Sequence, residues 1–141
     1  MVNYLAILAA AIVGMIVGFV WYSPMLFGNA WIRMIGKDPG DKAEMERMKK
    51  SAGPLYGIMF VMALVSAYVF SRLMIVFHAT SAMSGIKLAG ACWLAFMLPV
   101  VLGSSMFSGK DKKTAWNLAF ITGGHYLVGL LITGAILGAW R

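Results

Sequence analysis

The stretch Trp21-Tyr22-Ser23-Pro24-Met25-Leu26-Phe27-Gly28-Asn29-Ala30-Trp31 decides how this chain is read. It closes an apolar run that begins at Val2, breaks at a proline, and resumes amphipathically between two tryptophans. A proline disfavours helical conformation at the residue before it, so the first apolar helix should stop at Ser23. Ser23 can then cap a new short helix with Pro24 at its first position. Phe27, Trp31, Met34 and Ile35 recur at helical spacing, Asn29 and Arg33 face elsewhere, and Gly36 suits a terminator. A chain that leaves lipid and lies down at the headgroup level has this pattern. Trp21, Tyr22, Pro24, Phe27 and Trp31 are therefore assigned to an interfacial anchor.

Working outward, apolar residues make up 61% of the chain and charged residues 12%. A soluble domain would carry about twice that charge. Four apolar runs, near 2–22, 55–78, 85–107 and 115–140, are long enough to cross the ~30 Å hydrocarbon core, which takes roughly 20 helical residues. Runs of this length favour helices, which satisfy their own backbone groups, over the short alternating strands of a barrel. The expected fold is an all-α integral membrane protein: a single domain over 1–141, with four transmembrane helices in a bundle. A short interfacial helix and a short polar helix are expected in the loop 23–54, and a second loop covers 108–114. The first run does not read as a signal peptide, because no basic residue precedes it and no small-x-small site follows it.

The charge distribution orients the chain. Arg33, Lys37, Lys42, Arg47, Lys49 and Lys50 lie between the first two spans, and Lys110, Lys112 and Lys113 between the last two. Basic short loops mark the cytoplasmic side, so both termini should lie outside a bacterial cytoplasmic membrane. The net charge of +7 follows from these loops. The expected partners are the bilayer and its anionic lipid headgroups rather than nucleic acid. Trp116 and Trp140 fit the aromatic belt, and Trp93 reads as a packing residue. Lys37-Asp38-Pro39-Gly40 reads as a turn, Asp41 and Glu44 have capping-box spacing, and Glu46 can pair with Lys50. Cys92 is the only cysteine, which rules out an internal disulfide.

No Asp or Glu falls in any apolar run. Proton-coupled carriers usually place a carboxylate there, and small multidrug-resistance exporters would have one in the first span, where Ala9 to Phe19 holds no ionisable group. The one ionisable side chain deep in an apolar run is His125. It lies 12 residues beyond Lys113, about 18 Å along a helix and close to the midplane by that count. Thr122, Tyr126, Gly129 and Thr133 share a face with it. Such a stripe must meet other helices or a cavity, and three readings stay open: a histidine hydrogen-bonded to a neighbouring helix, a ligand or ion pathway, or a metal ligand. Asn117, and the carbonyl that Pro99 frees near Ala95, are candidates to complete a cavity with it. His78 lies at a different depth and cannot share a centre with it, and no cofactor is expected. Arg72 and Lys87 flank the outer turn. Either they snorkel to the headgroups, or with Arg141 they form an outer basic site; Tyr68 is placed to stack under Arg72. Small residues four apart (Ala6, Ala10, Gly14 and Gly18; Gly53 and Gly57; Gly134 and Gly138) let helices approach closely, and some should face another copy in a homo-oligomer.

The pattern Trp21-Tyr22-Ser23-Pro24-x-Leu26-Phe27-Gly28-x-x-Trp31, with the length, four spans and late Gly-rich span, resembles domain-of-unknown-function family 1761, small bacterial membrane proteins, over nearly the whole chain. The resemblance implies a four-helix membrane protein and no particular activity or site residue. The leading functional expectation is a protein that binds or passes a small molecule, anion or lipid through a polar pocket near His125. The alternatives are an accessory subunit of a larger complex, and a membrane enzyme using Tyr126, His125 and Arg72, which lack any specific catalytic spacing.

Overall fold

A computed structural model describes residues 2–140, and every regular element among them is helical. The order is α1 (Tyr4–Trp21), α2 (Gly28–Met34), α3 (Lys42–Val76), α4 (Ala82–Cys92), a π-helical turn (Trp93–Met97), α5 (Leu98–Met106) and α6 (Lys112–Ala139). Four helical stretches are long and apolar enough to cross a membrane: Tyr4–Trp21, Lys42–Val76, Ala82–Met106 and Lys112–Ala139. Arg141, expected near an outer basic site, lies outside the described residues.

Side-chain caps explain most helix starts. Asn3 Oδ1 accepts from the N–H groups of Leu5 and Ala6 at 3.0 and 3.1 Å. Its Nδ2 donates to the Trp140 carbonyl at 3.3 Å, tying the start of α1 to the end of α6. Asp41 accepts from Glu44 N–H at 3.0 Å, but the Glu44 carboxylate pairs with Lys37 rather than reaching back, so only half of the capping box forms. Ser81 and Ser84 form a complete reciprocal box at the start of α4.

Two helices end in the same way. Gly36 (φ 85°) donates to Arg33 O and Lys37 to Ile32 O, which is a Schellman closure of α2. His78 (φ 52°) donates to Ile75 O and Ala79 to Met74 O, which closes α3 by the same geometry on a residue with a Cβ. The sequence pointed to Gly36 but not to His78.

One expectation is corrected. The polar helix expected within 23–54 is not separate from the second span, because both belong to the 35-residue α3, with Pro54 inside it. Pro54 has no N–H to give the carbonyl four residues back, at Lys50, but that turn is exposed and water can serve the carbonyl instead. A break would have created two further ends with unsatisfied backbone groups.

Pro99 is also accommodated. The π turn hands the Leu98 N–H to Trp93 O and puts Pro99 in the first turn of α5, where the wider ladder accommodates its ring. Leu94 to Met97 are exposed, and Trp93 is the residue of the turn that reaches α6.

Packing centres on α6, which touches α1 along one side and α4 and α5 along another, while α3 lies against α1. The buried core sits at the end marked by Asn3 and Trp140. It contains Ala6, Ile7 and Ala10 of α1, Ala67, Phe70 and Met74 of α3, Ala89 of α4 and Leu137 of α6. A Cβ on Gly85 would overlap the Gly134 carbonyl, and one on Gly138 the Ser81 carbonyl, so the Gly134–Gly138 stripe joins α6 to α4 within the chain. Gly53 and Gly57 meet nothing.

Candidate binding site at His125

The site is built from the end of α1, the turn that follows, and the middle of α6. Ser23 does not cap a new helix. Its hydroxyl donates back to Val20 O at 2.7 Å and helps to end α1, so α2 begins at Gly28 and not at Pro24. The reversal is held by backbone bonds from Leu26 and Gly28 to Ser23 O (3.1 and 3.0 Å) and from Phe27 to Trp21 O (3.1 Å). A Cβ on Gly28 would overlap the Tyr22 carbonyl oxygen and lie 2.7 Å from that of Ser23, so the turn needs glycine there. The reversal lays Phe27 on Trp21 (ring centroids 4.8 Å apart) and Trp31 edge-on to Tyr22 (5.5 Å). Pro24 itself is exposed.

Two indoles grip α6 from different helices. Trp21 Nε1 donates to Ile121 O at 3.0 Å, and Trp93 Nε1 to Gly123 O at 2.9 Å. Those carbonyls already accept within the helix, and a carbonyl oxygen has a second lone pair to offer. Gly123 and Gly124 make room: a Cβ on Gly124 would sit 3.0 Å from Trp21 Cζ2, and one on Gly123 3.7 Å from Trp93 Cζ2.

His125 follows directly. Its ring lies 5.2 Å from Tyr22, 5.3 Å from Tyr126 and 6.3 Å from Trp21, centroid to centroid. Nε2 points at Gly18 of α1, where a Cβ would come within 3.3 Å of it. The Thr122 hydroxyl lies near the Tyr22 phenol, from the turn before. His125 is half-buried, yet neither ring nitrogen has a hydrogen-bond partner among the described residues, and no charged side chain acts on it. Tyr126 is 37% exposed, and its hydroxyl is also without a partner, so the cluster has an open edge.

Part of the expected stripe comes together here: His125, Tyr126 and Thr122. Asn117 and Thr133 lie eight residues to either side, about 12 Å along the helix; Asn117 is exposed and neither joins the cluster. With the far ends of α1 and α6 tied together, Gly18 meets His125, so the imidazole sits only one turn from where α1 stops. α6 has 28 residues and α1 only 18, so the first turns of α6 run past the end of α1. The residues assigned to an interfacial anchor and those assigned to a pocket therefore form one cluster. Sequence reading missed this pairing of Trp21 and Tyr22 with His125. Aligning the first and last spans as antiparallel neighbours of unequal length was the available signal.

Elsewhere, Arg72 and Lys87 are exposed and have no ion pair among the described residues, and Tyr68 makes no ring contact with Arg72 there. No group of three metal-ligating side chains occurs among the described residues. The family described as Protein of unknown function (DUF1761) matches residues 5–138. No curated protein and no solved structure matches the chain.

Proposed function

This chain belongs to the DUF1761 family, and we propose that it is a four-span bundle of the bacterial cytoplasmic membrane that binds a small molecule at the His125 cluster. The apolar exteriors of the helices support insertion. Leu5, Leu8, Ile12 and Ile16 on α1, Val61, Val65 and Val69 on α3, and Leu94, Phe96 and Val100 near α5 are all exposed, a surface suited to lipid rather than water. The basic residues gathered in 23–54 and 108–114 favour termini outside and His125 in the inner half of the bilayer. Labelling of single cysteines introduced at Lys37 and Ser81, in a Cys92→Ala background, checks this: only the second should react in intact cells.

The observation that carries the binding role is the unpartnered imidazole in an aromatic cluster with an open edge. Polar groups in hydrocarbon are costly when unsatisfied, so a ligand or water that bonds His125 and Tyr126 is favoured there. With no Asp or Glu in the apolar runs, any passage through the site would not be proton-coupled by an intramembrane carboxylate. Native mass spectrometry of the protein extracted in nanodiscs tests the role. The expected result is a bound small molecule that His125→Ala loses; identical spectra for the two proteins would overturn it.

A lateral partner is supported separately. Residues 53–59 of α3 are exposed on every side, although Tyr56 meets Phe19 of α1. We place a second copy of the chain along this face. Disulfide formation by Gly57→Cys, in the Cys92→Ala background, would give a dimer on oxidation; a monomer at all oxidant levels would refute it.

A further inference from the structure

We infer that the His125 cluster takes a planar, uncharged head with hydrogen-bond-accepting carbonyls on a hydrocarbon tail, the chemistry of a membrane quinone. The inference rests on the proposal that this cluster is a ligand site, and it names the class of ligand.

Charge decides against the other amphiphiles. Among the described residues no Lys, Arg, Asp or Glu acts on His125, and the cluster is made of an imidazole, phenols, a threonine hydroxyl and an indole. A phosphate head brought there would lose its water without gaining a countercharge, and an ammonium head would find no carboxylate. A neutral head carries no such penalty.

Shape and hydrogen bonding favour a flat ring. Trp21, Tyr22 and Tyr126 stand around His125, with ring centroids 5.2 to 6.3 Å from it, and Trp31 backs Tyr22 at 5.5 Å; aromatic rings stack or meet edge-to-face at such spacings. His125 and Tyr126 are adjacent on α6, and both bring a donor that no acceptor among the described residues uses. A neutral imidazole has one N–H and a phenol one O–H, which suits a ligand with carbonyl acceptors. Gly18 keeps the Nε2 side of the ring clear of any Cβ.

The depth fits a tailed molecule. His125 lies one turn inside the end of α1, and Val20 of α1 and Phe120 of α6 are exposed on nearby turns. A head that enters from the inner leaflet through the Tyr126 edge would leave its tail on apolar surface already facing lipid.

The test uses the full chain in phosphatidylcholine nanodiscs, titrated with decylubiquinone and read by quenching of tryptophan fluorescence. The wild-type protein should show saturable quenching above the linear background of empty-site partitioning. His125→Phe, which keeps a ring and removes the donor, should weaken the saturable phase about tenfold, the scale of one lost hydrogen bond. His125→Gln, which restores an N–H donor, should recover part of it. Gly18→Ala, which presses a methyl group on Nε2, should weaken it without altering the far-UV circular dichroism. A parallel series doped with phosphatidylglycerol uses native mass spectrometry to count retained lipid. Quenching that is the same in all four proteins overturns the quinone assignment. Phosphatidylglycerol retention that depends on His125, without saturable decylubiquinone binding, also overturns it but leaves the ligand site standing. If neither probe nor any endogenous molecule responds to His125, both readings fall.

Discussion

Replacing Trp21 with phenylalanine tests whether α6 is gripped through its backbone. The substitution removes Nε1 and the 3.0 Å bond to Ile121 O but keeps an aromatic ring. Ile121 O still accepts the His125 N–H within the helix, so no buried acceptor is orphaned and the loss is that of a net hydrogen bond, about 0.5–1.5 kcal/mol. The smaller ring also withdraws the Cζ2 edge that fills the space beside Gly124, where no side chain can take its place. The dispersion attraction forfeited at that edge adds about 1 kcal/mol. The expected destabilisation is therefore about 1.5–2.5 kcal/mol, and Trp93→Phe, which breaks the 2.9 Å bond to Gly123 O, should cost a similar amount. Both indoles pin the same turn of α6, so the double variant should deviate from additivity by about 0.5 kcal/mol or more. The assay is reversible unfolding in mixed micelles of rising sodium dodecyl sulfate fraction, followed by far-UV circular dichroism. Trp116→Phe is the control, because that indole is 57% exposed and donates no bond, and it should cost under about 0.5 kcal/mol. A Trp21→Phe protein within about 0.3 kcal/mol of the wild type would refute an energetic grip on α6.

Gly85→Ala and Gly134→Ala each set a methyl group against a backbone carbonyl that cannot rotate away, so each should cost at least about 2–3 kcal/mol in the same unfolding assay. Gly28→Ala collides with the Tyr22 carbonyl and should open the reversal, so that a Ser23→Cys probe in the Cys92→Ala background reacts faster with maleimide; an unchanged rate would show that the turn absorbs the methyl group. His78→Gly relieves a left-handed residue that carries a Cβ and should stabilise the protein by about 0.5–1 kcal/mol; a loss instead would give the His78 side chain a role the structure does not. The hydroxyl and N–H of Thr114 hold the Asp111 carboxyl below the usual carboxylate range. That cap is complete above the unfolded-state value and is lost as pH falls through the lowered folded one. Amide exchange at Thr114 should rise over that acid interval in the wild type and stay flat in Asp111→Asn.

The apolar runs, the Gly36 terminator and the Asp41 cap were legible because each depends on neighbours within a few residues. The continuity of α3 through Pro54 was not, since the cost of a proline depends on whether water reaches the freed carbonyl at Lys50. His78 was opaque for a related reason: any residue can be driven into a left-handed cap once the packing of Met74 and Ala79 fixes the turn. The site was half legible. Residue types and helical spacing singled out His125, Tyr126 and Thr122. Their junction with Trp21 and Tyr22 spans about 100 residues of chain, and no periodicity within one helix reports the level at which two helices meet. For the same reason Thr133 was grouped with His125 by face, and Asn117 as a cavity partner, and both are separated from it by height.

In the proposed membrane-spanning arrangement, the shortness of α1 has a consequence for the lipid around it. Its 18 residues reach about 27 Å, close to the thickness of the thinner biological bilayers and with no surplus to tilt. α3 and α6 have length to spare and can lean as the bilayer thins or swells, whereas α1 must hold its pitch or drag the Trp21–Trp31 reversal with it. Acyl-chain length thus bears directly on the cluster at the end of α1. Lipids longer than the helix would draw that reversal toward the hydrocarbon, which would couple the cluster to bilayer thickness.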